Sequence, residues 1–217
     1  MATSQDHKRI GEGDTGPNTG GMGAYSPAPV VTDSVHDKVM AQVILPTVQG
    51  MAAEGNPYTG FLYAGLMIDD DGNPSVIEYN CRFGDPETQP IMHRLQSDLV
   101  ALCQAALAGR LDDTNAQWDP RPAVGVVLAA GGYPGDYEKG HPISGLDVNW
   151  PKTTKVFHAG TRTAGPATVT DGGRVLCVSA LGDSIAHAIA NAYAGVDQIN
   201  WQDMTYRRDI GWRAIDR

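Results

Sequence analysis

The amino-acid sequence predicts a mixed α+β fold, in which helices and an antiparallel sheet come first and a smaller, β-rich α+β module follows. Two apolar, aromatic-rich runs at 60–68 and 75–80 are separated by Asp70-Asp71-Gly72-Asn73, a sequence typical of a hairpin turn. Residues 90–109 carry apolar side chains at helical spacing. A connector rich in turn-forming residues at 112–122 then precedes a series of short apolar runs, which are typical of strands.

The first half of the chain is predicted to begin with a loop and to continue into a helix. Residues 1–30 are rich in glycine and hold few strong formers of regular structure, so we expect an active loop region there. Residues 34–53 repeat apolar side chains at helical spacing, and Pro46 is expected to kink this helix or to lie in its first turn after a break. A further helix is expected to run unbroken from Pro90 to Gly109.

The second half is predicted to form the β-rich module. The connector divides the sequence into a first domain at 1–115 and a second domain at 121–217. Asp183 or Ser184 is expected to cap a helix that ends at Val196. Further strands are predicted at four short runs, which are 123–130, 155–158, 167–170 and 174–181.

The bulk properties argue against several classes of function. The chain has 217 residues, enough to bury a hydrophobic core. Its net charge is -9, from 16 basic and 25 acidic side chains, which argues against nonspecific binding to nucleic acid or to an anionic membrane. No apolar run is long enough to span a bilayer. The cysteines are odd in number and far apart, which argues against a disulfide framework, and a reducing cytoplasm is the expected location.

The strand at 75–80 leads into a carboxylate, an amide and a guanidinium at alternate positions, in Glu78, Asn80 and Arg82. Side chains of a strand alternate between its two faces, so these three point the same way for as long as the strand continues. Carboxylate and amide oxygens suit Mg²⁺ held together with nucleotide phosphates. An arginine just beyond them can hold a carboxylate or a phosphoryl oxygen through paired hydrogen bonds. The alternative is a polar, solvent-facing side of an edge strand.

Three polar residues follow Arg82 on a loop that leads into the N-terminus of a helix, and these are Asp85, Glu87 and Thr88. The free backbone N–H groups at a helix N-terminus favour anions, so the loop is a candidate for binding an anionic substrate. Asp85 and Glu87 could instead simply cap the helix.

The glycine-rich segment 11–25 is a second candidate for anion binding, because glycine lets backbone N–H groups approach an anion closely. It is not a Walker loop, since no Gly-Lys-Ser/Thr closes it, and no strand precedes it at the spacing of a dinucleotide fingerprint. A plain flexible loop is the alternative. Lys8, within the charged run 5–9, could steer a phosphate or a carboxylate, or could belong to a solvated charged surface.

Taken together, these motifs resemble the glycinamide ribonucleotide synthetase family, also called phosphoribosylamine–glycine ligases, of the ATP-grasp superfamily. The resemblance covers nearly the whole chain, and its motifs are together highly specific. It is carried by the segments 5–9, 13–25, 58–67, 78–90, 126–135, 156–161 and 206–212.

The resemblance implies an ATP-dependent ligation in de novo purine synthesis. In that reaction ATP phosphorylates the carboxylate of glycine, and the amine of 5-phosphoribosylamine attacks the acyl phosphate, giving glycinamide ribonucleotide, ADP and phosphate. Glu78 and Asn80 match the family's ligands for Mg²⁺ (or Mn²⁺) at the ATP phosphates. Arg82 matches the Asn-x-Arg arrangement of ATP-grasp enzymes and would stabilise the acyl phosphate. Substrate binding is implied for Lys8, Gly20, Gly21, Met22, Gly23, Asp85, Glu87 and Thr88.

The family's chain extends well beyond this one. Its N-terminal domain, and the ATP-grasp segment that supplies lysines over the phosphates, have no counterpart in this sequence. We therefore expect half of an ATP-grasp domain followed by the family's small C-terminal module, inactive by itself because much of the positioning apparatus is missing. The alternatives are a different ATP-grasp carboxylate–amine ligase or carboxylase, and a non-catalytic module that pairs with a separate N-terminal half or with itself.

Overall fold

The computed structural model describes residues 1–215, which form two compact units interleaved along the chain. Unit 1 consists of Met1–Pro27, Asp85–Leu95 and the described chain from Asp119 onward. Unit 2 consists of Ala28–Gly84 and Gln96–Trp118. These units group residues by spatial proximity, so they are discontinuous in sequence, and the sequence domains at 1–115 and 121–217 stay a prediction.

The regular elements of residues 1–215 are named in chain order. The helices are α1 (Asp33–Val39), α2 (Leu45–Ala53), α3 (Thr88–Arg94), α4 (Leu99–Leu107) and α5 (Ile185–Val196). The strands are β1 (Gln5–Asp6), β2 (Arg9–Gly11), β3 (Thr15–Asn18), β4 (Gly23–Ser26), β5 (Tyr63–Ile68), β6 (Pro74–Asn80), β7 (Ala123–Ala129), β8 (Thr154–His158), β9 (Thr161–Ala164), β10 (Ala167–Thr170) and β11 (Arg174–Leu181).

Unit 1 is built on a five-stranded antiparallel sheet in the order β1-β4-β7-β11-β8. Helix α5 packs on one face of this sheet, where its Gly195 lies against Val178 of β11. Helix α3 packs on the other face, where Pro90 and Cys177 lie beside Gly125 of β7. Because both faces are covered, β7 is buried along its whole length, which explains why its sequence is a continuous apolar run.

Unit 2 contains a β-hairpin, formed by β5 and β6, and a helical layer. The predicted helix at 34–53 is present, with a π-helical turn at Met40–Ile44 between α1 and α2. Pro46 lies in the first turn of α2, but no break precedes it, because the helical backbone continues through the π-helical turn. The hairpin is confirmed as well, because its two strands pair antiparallel across the turn at 69–73.

The expectation that residues 1–30 form a loop region was wrong in part. This segment contains four short strands, and β4 is fully buried between β1 and β7. Residues Gly23–Ser26 pair with residues about a hundred positions further along, on β7. Local sequence therefore favoured a loop, but long-range pairing imposed a strand on it.

The unbroken helix expected from Pro90 to Gly109 was also wrong. Helix α3 ends at Arg94 and a second helix, α4, begins at Leu99, because the side chain of Asp98 accepts hydrogen bonds from the first backbone N–H groups of α4. The predicted helix that ends at Val196 is confirmed, with Ser184 as its cap. Strand β9 was missed by the sequence analysis. It pairs with β10 to form a separate two-stranded sheet.

Candidate active site

The two predicted metal ligands, Glu78 and Asn80, lie on one face of the hairpin in unit 2. Glu78 pairs with Gly65 and Asn80 pairs with Tyr63 on the neighbouring strand. Their alternate positions on β6 therefore bring their side chains together on one face, as the sequence predicted. Arg82 lies outside this strand, because β6 ends at Asn80.

The space beside Glu78 is kept open by a glycine. A Cβ atom at Gly65 would lie 3.2 Å from Glu78 Cγ, so a larger residue would press against the Glu78 side chain. The opposite face of the hairpin turns toward the helical layer, where the Tyr79 hydroxyl lies 2.8 Å from Thr47 Oγ1 of α2. A carboxylate and an amide oxygen on an exposed strand face, with room beside them, fit Mg²⁺ or Mn²⁺ that also binds phosphates and water.

Arg82 is exposed, and it follows the strand that carries the two predicted ligands. Its Nη1 donates a hydrogen bond of 2.7 Å to the Phe83 carbonyl oxygen. The ring of Phe83 stacks on Phe61, with 3.8 Å between the ring centroids. This backbone contact and this ring pair position the guanidinium just beyond the end of the hairpin.

In unit 1, the side chain of Arg174 brings together two segments that the sequence analysis treated separately. Its Nη1 donates to the carbonyl oxygens of Gly20 (2.8 Å) and Asp85 (3.1 Å), and its Nη2 donates to Asp85 Oδ2 (2.8 Å). Arg174 is the first residue of β11, far from both segments in sequence. The glycine-rich segment and the Asp85 loop are therefore joined at one point of unit 1.

The glycines at this point are required for close packing. A Cβ atom at Gly21, whose φ is +117°, would approach Pro86 Cδ to 2.3 Å, and one at Gly20 would lie 2.8 Å from the Arg174 guanidinium carbon. The Gly20 amide also donates to the hydroxyl of Tyr133, at 2.9 Å. At Gly20 and Gly21 the absence of a side chain lets other parts of unit 1 approach the backbone.

The remaining predicted substrate-binding residues differ in accessibility. Met22 and Gly23 are buried within unit 1, and Lys8 forms an ion pair of 2.9 Å with Asp6. Glu87 is 3% exposed, and Thr88 opens helix α3. The side chain of Glu87 makes no capping hydrogen bond at this helix. The structure brings Gly20, Gly21 and Asp85 together, and the substrate roles of all these residues stay predictions.

A buried ionic cluster in unit 1 was not found from the sequence. Arg207 is 1% exposed, and its guanidinium binds Asp14 Oδ1 at 3.0 Å and Asp209 Oδ2 at 2.7 Å. Burial opposes the charge on Asp14, but hydrogen bonds from Arg207 and Arg213 outweigh it and hold the pKa of Asp14 below its ordinary value. Asp14 lay in the glycine-rich segment and Arg207 in a family motif, but no local pattern indicated that they pair.

His7 lies against this cluster and is uncharged. Its Nε2 accepts a hydrogen bond of 3.0 Å from the Gly211 amide, and its Nδ1 lies 3.7 Å from Asp14 Oδ1. Burial, together with the neighbouring positive charge of Arg207, lowers the pKa of His7 to about 4. These contacts connect the N-terminal strands of unit 1 to its last segment, so this cluster has a structural role.

Comparison with known proteins first defines the class. A crystal structure of phosphoribosylamine–glycine ligase from Thermotoga maritima matches with a TM-score of 0.80 and 38% identity, over 95% of this chain and 50% of that one. The biotin carboxylase domain of the Hydrogenobacter thermophilus 2-oxoglutarate carboxylase matches at 15% identity with a TM-score of 0.58, over 85% of this chain and 40% of that one, which shows the fold alone. The fold is that of ATP-grasp proteins.

The particular family follows from the sequence. The model of the phosphoribosylglycinamide synthetase ATP-grasp (A) domain matches residues 1–88, and the model of that family's C domain matches residues 123–213. Curated relatives named phosphoribosylamine–glycine ligase are 70% identical in Vibrio cholerae and 65% identical in Escherichia coli K12, over all of this chain and 51% of each relative. This chain belongs to the phosphoribosylglycinamide synthetase family, and it spans about half the length of the curated relatives it matches.

Proposed function

We propose that this chain supplies the metal-binding part of the active site of an ATP-dependent ligase that joins glycine to 5-phosphoribosylamine. The product is glycinamide ribonucleotide, formed through a glycyl phosphate with release of ADP and phosphate in the cytoplasm. The observation that carries this proposal is the identity of 70% along the whole chain to a relative named phosphoribosylamine–glycine ligase. The chain covers about half of that relative, so we expect it to be inactive when alone.

In this proposal Glu78 and Asn80 hold Mg²⁺ or Mn²⁺ at the phosphates of ATP. The bound metal would neutralise the charge that develops during phosphoryl transfer. Their shared strand face and the space left by Gly65 support this role.

Arg82 is proposed to bind the acyl phosphate and its oxyanion. Its planar guanidinium can donate two parallel hydrogen bonds to a phosphoryl group or a carboxylate, a geometry that lysine cannot reproduce. The support is that its side chain is exposed and that Arg82 lies two residues beyond Asn80 in unit 2.

Substrate contacts are proposed for unit 1, at Lys8, the 20–23 segment, Asp85, Glu87 and Thr88. The support is the junction at Arg174, which holds the backbone of Gly20 and the carboxylate of Asp85 in fixed positions. A site that must orient small anionic substrates benefits from such fixed groups, because correct positioning supplies much of the rate.

Release of ADP in the presence of glycine and 5-phosphoribosylamine tests the proposal. The chain alone should release none above background. The same chain, fused behind the amino-terminal half of the Vibrio cholerae relative, should release ADP only when both substrates are present. Clear turnover by the chain alone would refute the expected inactivity, and turnover of the fusion with another amine or carboxylate would identify a different ligase.

A folded fusion that releases no ADP with any substrate would favour the non-catalytic alternative.

Glu78→Gln and Ser75→Ala form a matched pair for this assay, because both residues lie on β6 and only Glu78 is a proposed ligand. We expect Glu78→Gln to lower turnover by at least a hundredfold and Ser75→Ala to leave it within twofold.

A further inference from the structure

A cavity of about 300 Å³ lies in unit 1, between helix α5 and the segment 148–154 that leads into strand β8. Its volume is at the lower end of the range of roughly 300–1,000 Å³ that is usual for small-molecule sites. The wall formed by α5 carries Asn191, Gly195 and Gln198, and the opposite wall carries Asn149 and Trp150. The cavity therefore has the size of a site for one small molecule.

Both walls of this cavity are tied to the end of strand β11. The Leu181 amide donates a hydrogen bond of 2.8 Å to the carbonyl oxygen of Thr153, and the Leu181 carbonyl oxygen accepts one of 2.9 Å from Asn191 Nδ2. The Thr154 amide donates to the Pro151 carbonyl oxygen at 2.9 Å, which closes the turn of the segment. The cavity is thus held in shape by the fold itself, and a preformed site lowers the entropic cost of binding.

Trp150 gives the cavity a fixed aromatic surface. Its Nε1 donates to the Leu146 carbonyl oxygen at 3.4 Å. Helix α5 has a glycine where the indole ring approaches it, because a Cβ atom at Gly195 would lie 3.5 Å from Trp150 Cζ3 and 2.8 Å from Val178 Cγ1. A planar ligand can stack on such a ring.

The polar groups that line the cavity are neutral. They are the carboxamides of Asn149, Asn191 and Gln198 and the hydroxyls of Thr153 and Thr154. Within the described part of the chain, no charged side chain lines the cavity. A carboxamide presents a donor and an acceptor side by side. The matching ligand is therefore uncharged and carries a neighbouring acceptor and donor of its own.

Carboxamides beside an aromatic ring are the groups by which proteins recognise a purine base. A carboxamide pairs with N6 and N7 of adenine through two hydrogen bonds, and the base stacks on the ring. We propose that this cavity binds an uncharged adenine ring, either as the free base or as its nucleoside. A nucleotide fits less well, because its phosphate meets no cation in the lining and the chain has a net charge of -9.

This site is distinct from the substrate contacts proposed at Gly20 and Asp85. Thr154, which lines the cavity, pairs with Ala180 of β11. Ala180 is six residues along this strand from Arg174, a separation of about 20 Å. Binding in the cavity therefore goes beyond the proposed ligation and does not depend on it.

Titration of the isotope-labelled chain tests the proposal, with the backbone amide resonances as the readout. We expect adenine and adenosine to cause shifts that saturate below millimolar concentration and are confined to the segment 148–154 and the C-terminal half of α5. The tighter of these two ligands identifies the free base or the nucleoside as the form that is bound. AMP should bind no more tightly than adenosine.

Two variants with matched controls locate the ligand. Ala194→Phe fills the cavity and should weaken binding by about tenfold or more, because stacking of the base is lost. Ala186→Phe, at an exposed position of α5 outside the lining, should leave the affinity unchanged. Gln198→Met removes one carboxamide and should weaken adenine by about threefold to tenfold without weakening indole, which lacks the paired groups. Gln202→Met, outside the lining, is its control.

Four results would overturn the proposal. Shifts that do not saturate at millimolar adenine and adenosine, or that map outside the two walls, would show that the cavity does not bind the base. Binding of AMP at least about tenfold more tightly than adenosine would require a cation that the lining lacks. Equal affinities in folded Ala194→Phe and Ala186→Phe would place the ligand elsewhere. If Ala194→Phe does not fold, Gln198→Met decides, and equal losses of adenine and indole in that variant would refute recognition of the base.

Discussion

Units 1 and 2 differ in how far each encloses its own hydrophobic core. In unit 1, β7 and β11 are buried along nearly their whole length between helices α3 and α5. In unit 2, β6 is largely exposed and few apolar side chains are buried. Unit 1 therefore has the burial of a self-contained fold, whereas the predicted metal ligands lie on the unit that buries fewer apolar side chains. Elements that bind ligands often come from the least stable part of a protein, which agrees with this arrangement.

Among the substitutions that test this difference between the units, Arg207→Met is expected to cause the largest loss of stability. The substitution removes the partner of two carboxylates, Asp14 and Asp209, and should lower the free energy of unfolding of unit 1 by about 3–5 kcal/mol. Urea unfolding followed through the amide exchange of β7 and β11 measures it. Arg208→Met is the matched control, because Arg208 is exposed over the ring of Tyr206 and its loss should cost less than about 1 kcal/mol. Equal losses in the two variants would show that the cluster does not stabilise unit 1.

Acid should destabilise unit 1 through His7. The pKa of this ring is about 4 in the folded state and 6.5 ordinarily, so the unfolded chain binds the proton more readily. The contribution of neutral His7 to the free energy of unfolding is therefore fully present above pH 6.5. It falls by about 3 kcal/mol as the pH falls to about 4. The groups that face the ring are Asp14, Asp209, Arg207 and Arg213. The pKa of both aspartates is lowered, so their own contribution is lost at more acid pH, below this window.

His7→Gln separates the contribution of His7 from that of the aspartates, because a glutamine amide oxygen can still accept the Gly211 N–H. In this variant the free energy of unfolding should fall less between pH 7 and pH 4, and part of the remaining fall comes from His93, whose pKa is also lowered by burial. His36→Gln, at a side chain exposed in unit 2, should leave the dependence unchanged. If the free energy of unfolding of His7→Gln falls as much between pH 7 and pH 4 as that of the unmodified chain, the assignment to His7 is wrong.

A smaller effect is expected from Arg174→Met, which releases Gly20 from Asp85. We expect the free energy of unfolding to fall by about 2 kcal/mol, as is typical when hydrogen bonds to a charged group are lost. Amide exchange at Gly20 and Gly21 should become faster. Arg162→Met is the control, since the Arg162 guanidinium lies 3.9 Å from Asp171 at the surface. If exchange at Gly20 and Gly21 is unchanged, the junction does not hold the glycine-rich segment.

The smallest effects come from one chemical change made in both units. The Tyr193 hydroxyl donates to the Arg207 carbonyl oxygen at 2.7 Å and accepts from the Ile210 amide at 3.0 Å. Tyr193→Phe should therefore lower the free energy of unfolding by about 1–2 kcal/mol. In unit 2 the Tyr79 hydroxyl meets Thr47 where water can replace it, so Tyr79→Phe should cost less than about 0.5 kcal/mol. Thermal unfolding measures both, and a larger loss for Tyr79→Phe would reverse the contrast between the units.

The sequence was informative wherever the signal is local. The hairpin at β5 and β6, the helix capped by Ser184 and the apolar strands β7 and β11 follow from periodicity, turn residues and capping residues, all of which act within a few residues. The alternation of Glu78 and Asn80 on one strand face is a property of the same kind. The family is also apparent from the sequence, because its motifs extend along nearly the whole chain.

The tertiary structure decided what depends on distant residues. The glycine-rich segment forms β4 because β7 pairs with it, and Arg174 joins Gly20 to Asp85 across gaps that no local pattern spans. The cluster of His7, Asp14 and Arg207 is likewise assembled from both ends of the chain. The sequence by itself determined the local elements, the position of the two predicted ligands on one strand, and the family. The folded chain alone showed which segments meet and which unit buries fewer apolar side chains, since burial and ion pairing arise from three-dimensional neighbours.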